Sequence, residues 1–268
     1  MIVDAHVHLL PGRLGAKVRD FFLRHLPLEL AYPNDHATVL AAHAEAGIGE
    51  VWNLPYAHKP GVAEGLNEAS AALAQASPHP GVRIVGGATA HPGDDDPERV
   101  VGTALDVLGL RVLKLHCSVG GFSADDARLD ALWRLVERRC LPTVVHVGHD
   151  VTGRTHATEL ASLARIARRH PGAPLIIAHT AHPSTAAALA LVAAHPNVHA
   201  DLTPVIDDPV ALPDAELEAR PDRFLFGSDA PNVAIRAETG LARLRTLSPG
   251  TRTAIEHGNA QRLQSELR

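Results

Sequence analysis

Several apolar runs of this 268-residue chain end on side chains that can ligate a metal ion or move a proton. The first closes on Asp4-Ala5-His6-Val7-His8, and others close on His116, His146, His179 and Asp229. His6 and His8 lie two apart, so on a strand they are expected to project from one face and grip one ion. Neutral imidazoles with one carboxylate suit Zn2+, and also Mn2+, Fe2+ or Ni2+. Three or four such ligands around an open position describe a catalytic centre, where the ion lowers the pKa of a bound water to roughly 7. Asp229 is suited both to bind the ion and to exchange a proton with that water. The ion or a nearby imidazole can stabilise the oxyanion that forms. Lys114, in Val112-Leu113-Lys114-Leu115-His116, is ambiguous. As an ammonium it is repelled by the ion, so it must be neutral, point away, be carboxylated into a bridge between two metals, or pair with an anion. That anion is either a substrate group or a buried carboxylate such as Asp4.

These residues converge only if the fold brings strand ends together. The apolar runs fall at 2–7, 50–54, 82–88, 111–115, 143–147, 174–178, 198–202 and 223–227, separated by stretches of helical period. Such alternation means parallel strands covered by helices. Asp35 is expected to cap a helix ending near Gly47, Ser123 one that ends near Arg139, and Ser184 one that ends near His195. Leu129, Leu132, Val136 and Cys140 recur at helical spacing, and Pro142 stops the pattern. Eight units in 268 residues fit one α/β domain, a (β/α)8 TIM-type barrel, which typically needs about 250. A barrel gathers all eight strand C-termini at one rim. An open doubly wound sheet is the alternative, weakened because no glycine-rich phosphate loop follows a strand. Residues 9–34 are long for a first loop. They are expected to hold a short helix around Phe21 and Phe22, either as a cap at the barrel mouth or as a packing insertion.

Composition excludes other classes. Net charge is −5 with scattered basic residues, which argues against nucleic acid as a partner. The two cysteines, Cys117 and Cys140, read as ordinary buried thiols. No basic segment precedes an apolar run at Met1-Ile2-Val3-Asp4, and no run is long enough to cross a bilayer, so no signal peptide and no membrane partner are expected. The expected location is cytoplasmic and the expected partner a small-molecule substrate. A homo-oligomer is compatible with the sequence. Of the 18 histidines, His25, His43, His170 and His195 sit in polar helix-like stretches and are expected to be solvated.

The motifs DAHVHL at 4–9, VLKLH at 112–116, PTVVHVG at 142–148, LIIAHT at 175–180, HPNVHADLT at 195–203, RFLFGSDAP at 223–231 and GNAQRL at 258–263 run from end to end. In them the chain resembles the amidohydrolase superfamily, and within it the amidohydrolase-related branch. That branch includes aminocarboxymuconate-semialdehyde decarboxylase, resorcylate decarboxylase and pyrone-dicarboxylate lactonase. The resemblance implies a distorted, metallo-dependent-hydrolase-like barrel. In one-metal members, the positions matching His6, His8, His146 and Asp229 hold the ion, and the position matching His179 activates or positions water or substrate. In two-metal relatives, the positions matching His146 and His179 hold a second ion, bridged by a carboxylated lysine at the position of Lys114. Every residue for either arrangement is present; one ion, Zn2+ foremost, is the form expected from the branch, although lactonase-like members work without metal.

Further residues at or beyond strand ends are candidates for the substrate pocket: His91, His116, His149, Arg154, His182 and Arg236. His91-Pro92 and His182-Pro183 mark turns after strands. Ser228 lies in no GxSxG elbow and is discounted as a nucleophile. The expected function is metal-dependent hydrolysis of an amide, lactone or ester bond in a small molecule. Non-oxidative decarboxylation of an aromatic or unsaturated carboxylic acid at the same metal is the alternative. A barrel that binds metal or ligand without turnover is the third reading, disfavoured because buried ionisable groups without function cost stability.

Overall fold

The computed structural model describes residues 1–25, 29–146, 157–203 and 205–268. Eight strands occupy Ile2–Val7 (β1), Ile48–Asn53 (β2), Arg83–Thr89 (β3), Val112–Leu115 (β4), Thr143–Val145 (β5), Leu175–Ile177 (β6), Val198–Asp201 (β7) and Phe224–Leu225 (β8). Each pairs in parallel with the next in sequence, so the order contains no switch point. The seam between β8 and β1 is closed by Ala5 N–H donating to Phe226 O at 2.9 Å and His8 N–H donating to Ala230 O at 2.8 Å. This closure makes a (β/α)8 barrel and rules out the open sheet.

The helices are Gly12–His25 (α1), His36–Glu45 (α2), Ala63–Gln75 (α3), Pro97–Asp106 (α4), Cys117–Gly120 (α5), Asp130–Arg139 (α6), Ala157–Arg169 (α7), Thr185–Ala194 (α8), Asp214–Ala219 (α9), Ala237–Leu244 (α10), Pro249–Thr253 (α11) and Asn259–Glu266 (α12). Asp35 caps α2 as expected, accepting from Thr38 N–H at 2.8 Å. Ser123 does not cap α6. Its hydroxyl donates to Asp125, and a 3-10 turn capped by Asp126 leads into the helix. Ser184 occupies the N-cap position of α8 without a side-chain bond. α6 ends at Cys140, which is half-buried in a left-handed conformation (φ 48°), before Pro142 is reached. Helix α1 covers more of the 9–34 segment than the short helix expected there, with Gly15 pressed against Leu10 O and the Asn34 side chain. Among the described residues no helix is long and apolar enough to cross a membrane.

Strand residues divide between two apolar layers. Val3, Ala5, Trp52, Leu54, Val85, Val112, Val144, Ile176, Ala178 and Leu225 fill the barrel. Their neighbours Ile48, Val51, Leu113, Leu115, Val145, Leu175, Ile177, Val198, Ala200, Phe224 and Phe226 belong to the outer layer, with Val39, Leu132, Trp133, Val136, Leu163 and Val192 of the helices. Side chains two apart on a strand share a face. Lys114 therefore continues the interior row of Val112, and His146 that of Val144.

Strand β1 breaks this alternation. Asp4 pairs with Val51 and Val7 with Asn53, so Ala5 and His6 together oppose Trp52. Such a bulge re-aims the residues that follow it. Asp4 turns outward to α2, whereas Ala5 stays in the interior layer and His6 turns to the interior polar groups.

The N-terminal end of the barrel is stoppered by α12. Ala260 and Leu263 pack into the interior layer. Asn259 Nδ2 donates to Pro221 O at 2.7 Å and Phe224 O at 2.8 Å, and Arg262 donates to Asp222 O. The GNAQRL motif is thus a structural plug at the face opposite the strand C-termini. Leu263 is 1% exposed. Leu263→Ala is expected to lower unfolding free energy by about 2–5 kcal/mol, measured by urea denaturation, because it leaves a cavity the strand starts cannot close.

Candidate metal centre

His6 and His8 leave β1 beside Asp229, which follows β8. The Nε2 atoms of His6 and His8 are 3.1 Å apart. Asp229 Oδ1 is 3.2 Å from His8 Nε2 and 3.6 Å from His6 Nε2. Asp229 takes a left-handed backbone (φ 59°), and its N–H donates to His6 O at 2.8 Å, so the two ligating segments are tied directly.

The far side of each ring decides what these nitrogens are. His8 Nδ1 is 2.6 Å from the Leu54 carbonyl, His6 Nδ1 2.7 Å from the Asp201 carboxylate, and His179 Nδ1 2.8 Å from the Thr203 carbonyl. A neutral imidazole has one proton, and each of these Nδ1 atoms faces an acceptor that holds it there. Their Nε2 atoms then carry lone pairs. Two imidazole lone pairs and a carboxylate oxygen within 3.1–3.6 Å repel one another, a repulsion that Lys114 Nζ relieves at His6 Nε2 and that a cation among the three would relieve for all of them. The donor set fits a divalent ion, and the anchored Nδ1 atoms match the second-shell pattern of metal-bound histidine.

The remaining interior groups surround this cluster. Lys114, fully buried, places Nζ 3.0 Å from His6 Nε2. Burial pushes its pKa down to about 8 against the pull of Asp201 and Asp229. Burial also drives Asp201 up, and the charge of Lys114 and the backbone N–H of His179 oppose it. Lys114 thus faces Asp201 and Asp229, and not Asp4, among its carboxylates. His179 is driven down to about 4, by burial first, with Asp229 opposing. Burial raises the Asp229 carboxyl, but the neighbouring His179 and His8 outweigh it and hold the net value low. His146 approaches through His179, its Nδ1 3.2 Å from His179 Nε2. Of the four ligands implied for a single ion, His6, His8 and Asp229 are in mutual contact and His146 lies one imidazole further in. His6, His179 and Asp201 form a second group whose ligand atoms lie within 4.8 Å of one another.

His116 caps α5 and stacks on His146, with ring centroids 3.8 Å apart. His182 lies in the turn after His179 and is half-buried. His91 is committed to structure, with Nε2 on the Gly120 carbonyl and Nδ1 accepting from Gly93 N–H. Arg236 lies over the Tyr32 ring on the surface. His149 and Arg154 lie outside the described residues.

The family described as Amidohydrolase matches residues 3–263 of the chain. The chain belongs to the amidohydrolase family. It is therefore an enzyme of that type, built on that family's barrel. An uncharacterized TIM-barrel protein from Bordetella bronchiseptica superposes with a TM-score of 0.80 at 21% identity, covering 99% of this chain and 98% of that one. A dihydroxybenzoic acid decarboxylase from Polaromonas, solved with bound manganese, gives 0.72 at 17% identity, covering 98% and 96%. A probable 2-pyrone-4,6-dicarboxylic acid hydrolase from Acinetobacter baumannii gives 0.65 at 16%, covering 98% and 99%. At these identities the likeness is one of fold. A stretch of 96 residues is 34% identical to maize trimethyltridecatetraene synthase but covers 36% of this chain and 17% of that protein.

Asp201, Tyr56 and His43 have roles in this amidohydrolase centre that the sequence does not announce, and Asp4, expected as a possible partner of Lys114, has a different one. Asp201 ends β7 as the other strand-end groups end theirs, and the strand-end rule could have found it. Tyr56, beyond β2, sits edge-on to His8 and tilted against His116, and burial raises its phenol well above the ordinary value. No spacing marked it. Asp4 and His43 form a fully buried pair behind the site. Asp4 Oδ1 accepts from His6 N–H and Ser228 N–H, so one carboxylate braces the backbones next to two ligating residues. His43, expected to be solvated, is instead in the core. Its Nε2 lies 3.0 Å from Asp4 Oδ2 and its Nδ1 2.8 Å from Val39 O. Both nitrogens face acceptors because α2 is pressed against the strand whose bulge turns Asp4 outward. His170 is also buried, bonded to Glu137. His25 is exposed as expected and His195 is half-buried.

Burial lowers the His43 pKa, but its bond to Asp4 and that carboxylate's charge outweigh it, and the net shift is upward from 6.5. A raised folded value stabilises fully below the unfolded pKa and is lost as pH rises through the folded one. The stability difference between wild type and His43→Gln should therefore be larger at about pH 6 than at about pH 9. Urea denaturation at the two pH values measures it, and an equal or inverted difference contradicts the charged pair.

Proposed function

We propose that this amidohydrolase-family enzyme is a metal-dependent hydrolase that cleaves an amide, lactone or ester bond of a small molecule. The observation that carries the reading is the cluster of proton-free acceptors formed by His6 Nε2, His8 Nε2 and Asp229 Oδ1. One ion, Zn2+ by the chemistry of the donor set, would be held by His6, His8 and Asp229 with His146 completing the set. When bound, it would supply a polarised, readily deprotonated water at neutral pH.

The chain's own residues do the rest. Asp229 has a carboxylate at the reacting centre, held ionised by its neighbours, and can accept and return a proton there. His179, neutral because it is buried, can orient water or substrate through the ring edge turned to His146. Lys114 balances the carboxylates of Asp201 and Asp229 from the barrel interior. Tyr56 and the stacked His116 form an aromatic wall beside His8, suited to the flat part of a small substrate.

Purified protein should contain about one divalent ion per chain by elemental analysis, and chelation should abolish turnover. Asp229→Asn should lower turnover roughly 10²–10⁴-fold without unfolding the barrel. A panel of amides, lactones and esters, run beside hydroxybenzoates and muconates, separates the chemistries. Carbon dioxide release without hydrolysis replaces the hydrolase reading by decarboxylation. Two ions per chain with Lys114 carboxylated would replace the one-ion centre.

A further inference from the structure

Asp201 stands at the end of β7 with no exposed surface, and its two carboxylate oxygens serve different strands. Oδ2 lies 2.7 Å from His6 Nδ1, on β1. Oδ1 accepts the backbone N–H of His179, just beyond β6, at 2.8 Å. The Asp201 carbonyl also accepts from the Thr180 hydroxyl at 2.6 Å. The segment it holds in this way is unusual: His179, Thr180 and Ala181 all have positive φ, at 60°, 44° and 51°.

We propose that Asp201 is a positioning residue that sets the tautomer of His6 and the backbone of His179 through a single carboxylate, so that both imidazoles turn proton-free Nε2 atoms into the polar interior of the barrel. The inference rests on the metal reading above, but it concerns where protons sit in the protein itself. A carboxylate oxygen 2.7 Å from Nδ1 draws the ring proton to that nitrogen. His6 Nε2 is then free of hydrogen where it meets His8 and Asp229. The other oxygen pins His179 N–H, and with it the left-handed turn that stacks the His179 ring on His6, with centroids 4.8 Å apart and 27° between the planes. A neutral amide of the same shape cannot perform both tasks. In Asp201→Asn, the one remaining oxygen must accept from His179 N–H. The NH2 group then faces His6 Nδ1 and donates to it, which moves the imidazole proton to Nε2 and blocks the ligand.

The test uses the full chain with 15N-labelled histidine, freed of metal, under mildly alkaline conditions in which an ordinary imidazole is neutral. Two-bond 15N–1H correlation spectra report which ring nitrogen carries the proton, and His6→Asn assigns the signal. Wild-type His6 is expected as the Nδ1–H form and Asp201→Asn as the Nε2–H form, with Zn2+ affinity of the variant reduced about 10–100-fold in titration calorimetry. A carboxylate that merely filled space would leave the tautomer unchanged. An Nε2–H signal for His6 in the wild type overturns the inference, and so does an Asp201→Asn protein that keeps Nδ1–H and binds Zn2+ as tightly as wild type. Should the variant fail to fold, the wild-type spectrum alone decides. Absence of Zn2+ binding by a wild type whose His6 is Nδ1–H overturns the metal reading and leaves the role of Asp201 standing.

Discussion

A buried imidazole can offer a lone pair in one direction only if its proton is held in the other. At the mouth of this barrel that constraint is met three times, by a carbonyl beyond β2, a carbonyl beyond β7 and a carboxylate at the end of β7. The acceptors come from strands other than those that carry the histidines. The tautomer of each ring therefore depends on the barrel being closed and on the register between strands. Slippage of β7 by one residue would turn Asp201 away from His6 and reverse every side chain on that strand. The chemistry of the centre is in this sense a property of the whole sheet.

Strand β1 shows how local irregularity serves the same end. A regular strand would alternate Val3, Ala5 and Val7 on one side with Asp4, His6 and His8 on the other. The bulge opposite Trp52 lets Val3 and Ala5 fill the barrel while His6 also turns inward and Asp4 turns out. Asp4 is then available to hold two backbone N–H groups and His43 at the seam. The seam needs that support: β8 is two residues long, and the link to β1 passes through the residues that follow β8, by their hydrogen bonds and the Val7–Ala230 bridge.

The sequence made the barrel legible because each strand is a short apolar run and each helix has its own period and stop. The strand ends read correctly as a common rim, and the meeting of His6, His8 and Asp229 followed from it. What was not legible depended on orientation. His43 looks solvated in a polar helix, and only the outward turn of Asp4 makes its position buried. Asp201 obeys the strand-end pattern, but HPNVHADLT also offers His195 and His199, and spacing does not say which of the three meets the centre. Tyr56 lies in a loop where no periodicity applies. His91 follows a strand as the pocket candidates do, but both its nitrogens are taken by backbone, a commitment that spacing cannot reveal. Ser123 loses its capping role because Asp126 and a 3-10 turn start the helix later.

Stability and function draw on different ends of the same barrel. The lower interior is apolar, dense and stoppered by α12. The upper interior carries Lys114, Asp201 and the histidines with little or no exposure, and three consecutive left-handed residues follow β6. Each such residue costs on the order of 1–3 kcal/mol and persists only where surrounding contacts over-determine it. Here the surrounding contacts are the bonds from His179 and Thr180 to Asp201 and from His179 Nδ1 to Thr203. An ordinary turn after β6 would be easier to build, but it would not face the His179 ring against both His6 and His146. The strain is placed where relaxing it would remove an imidazole from the centre, and the bonds to β7 and the residues beyond it keep it there.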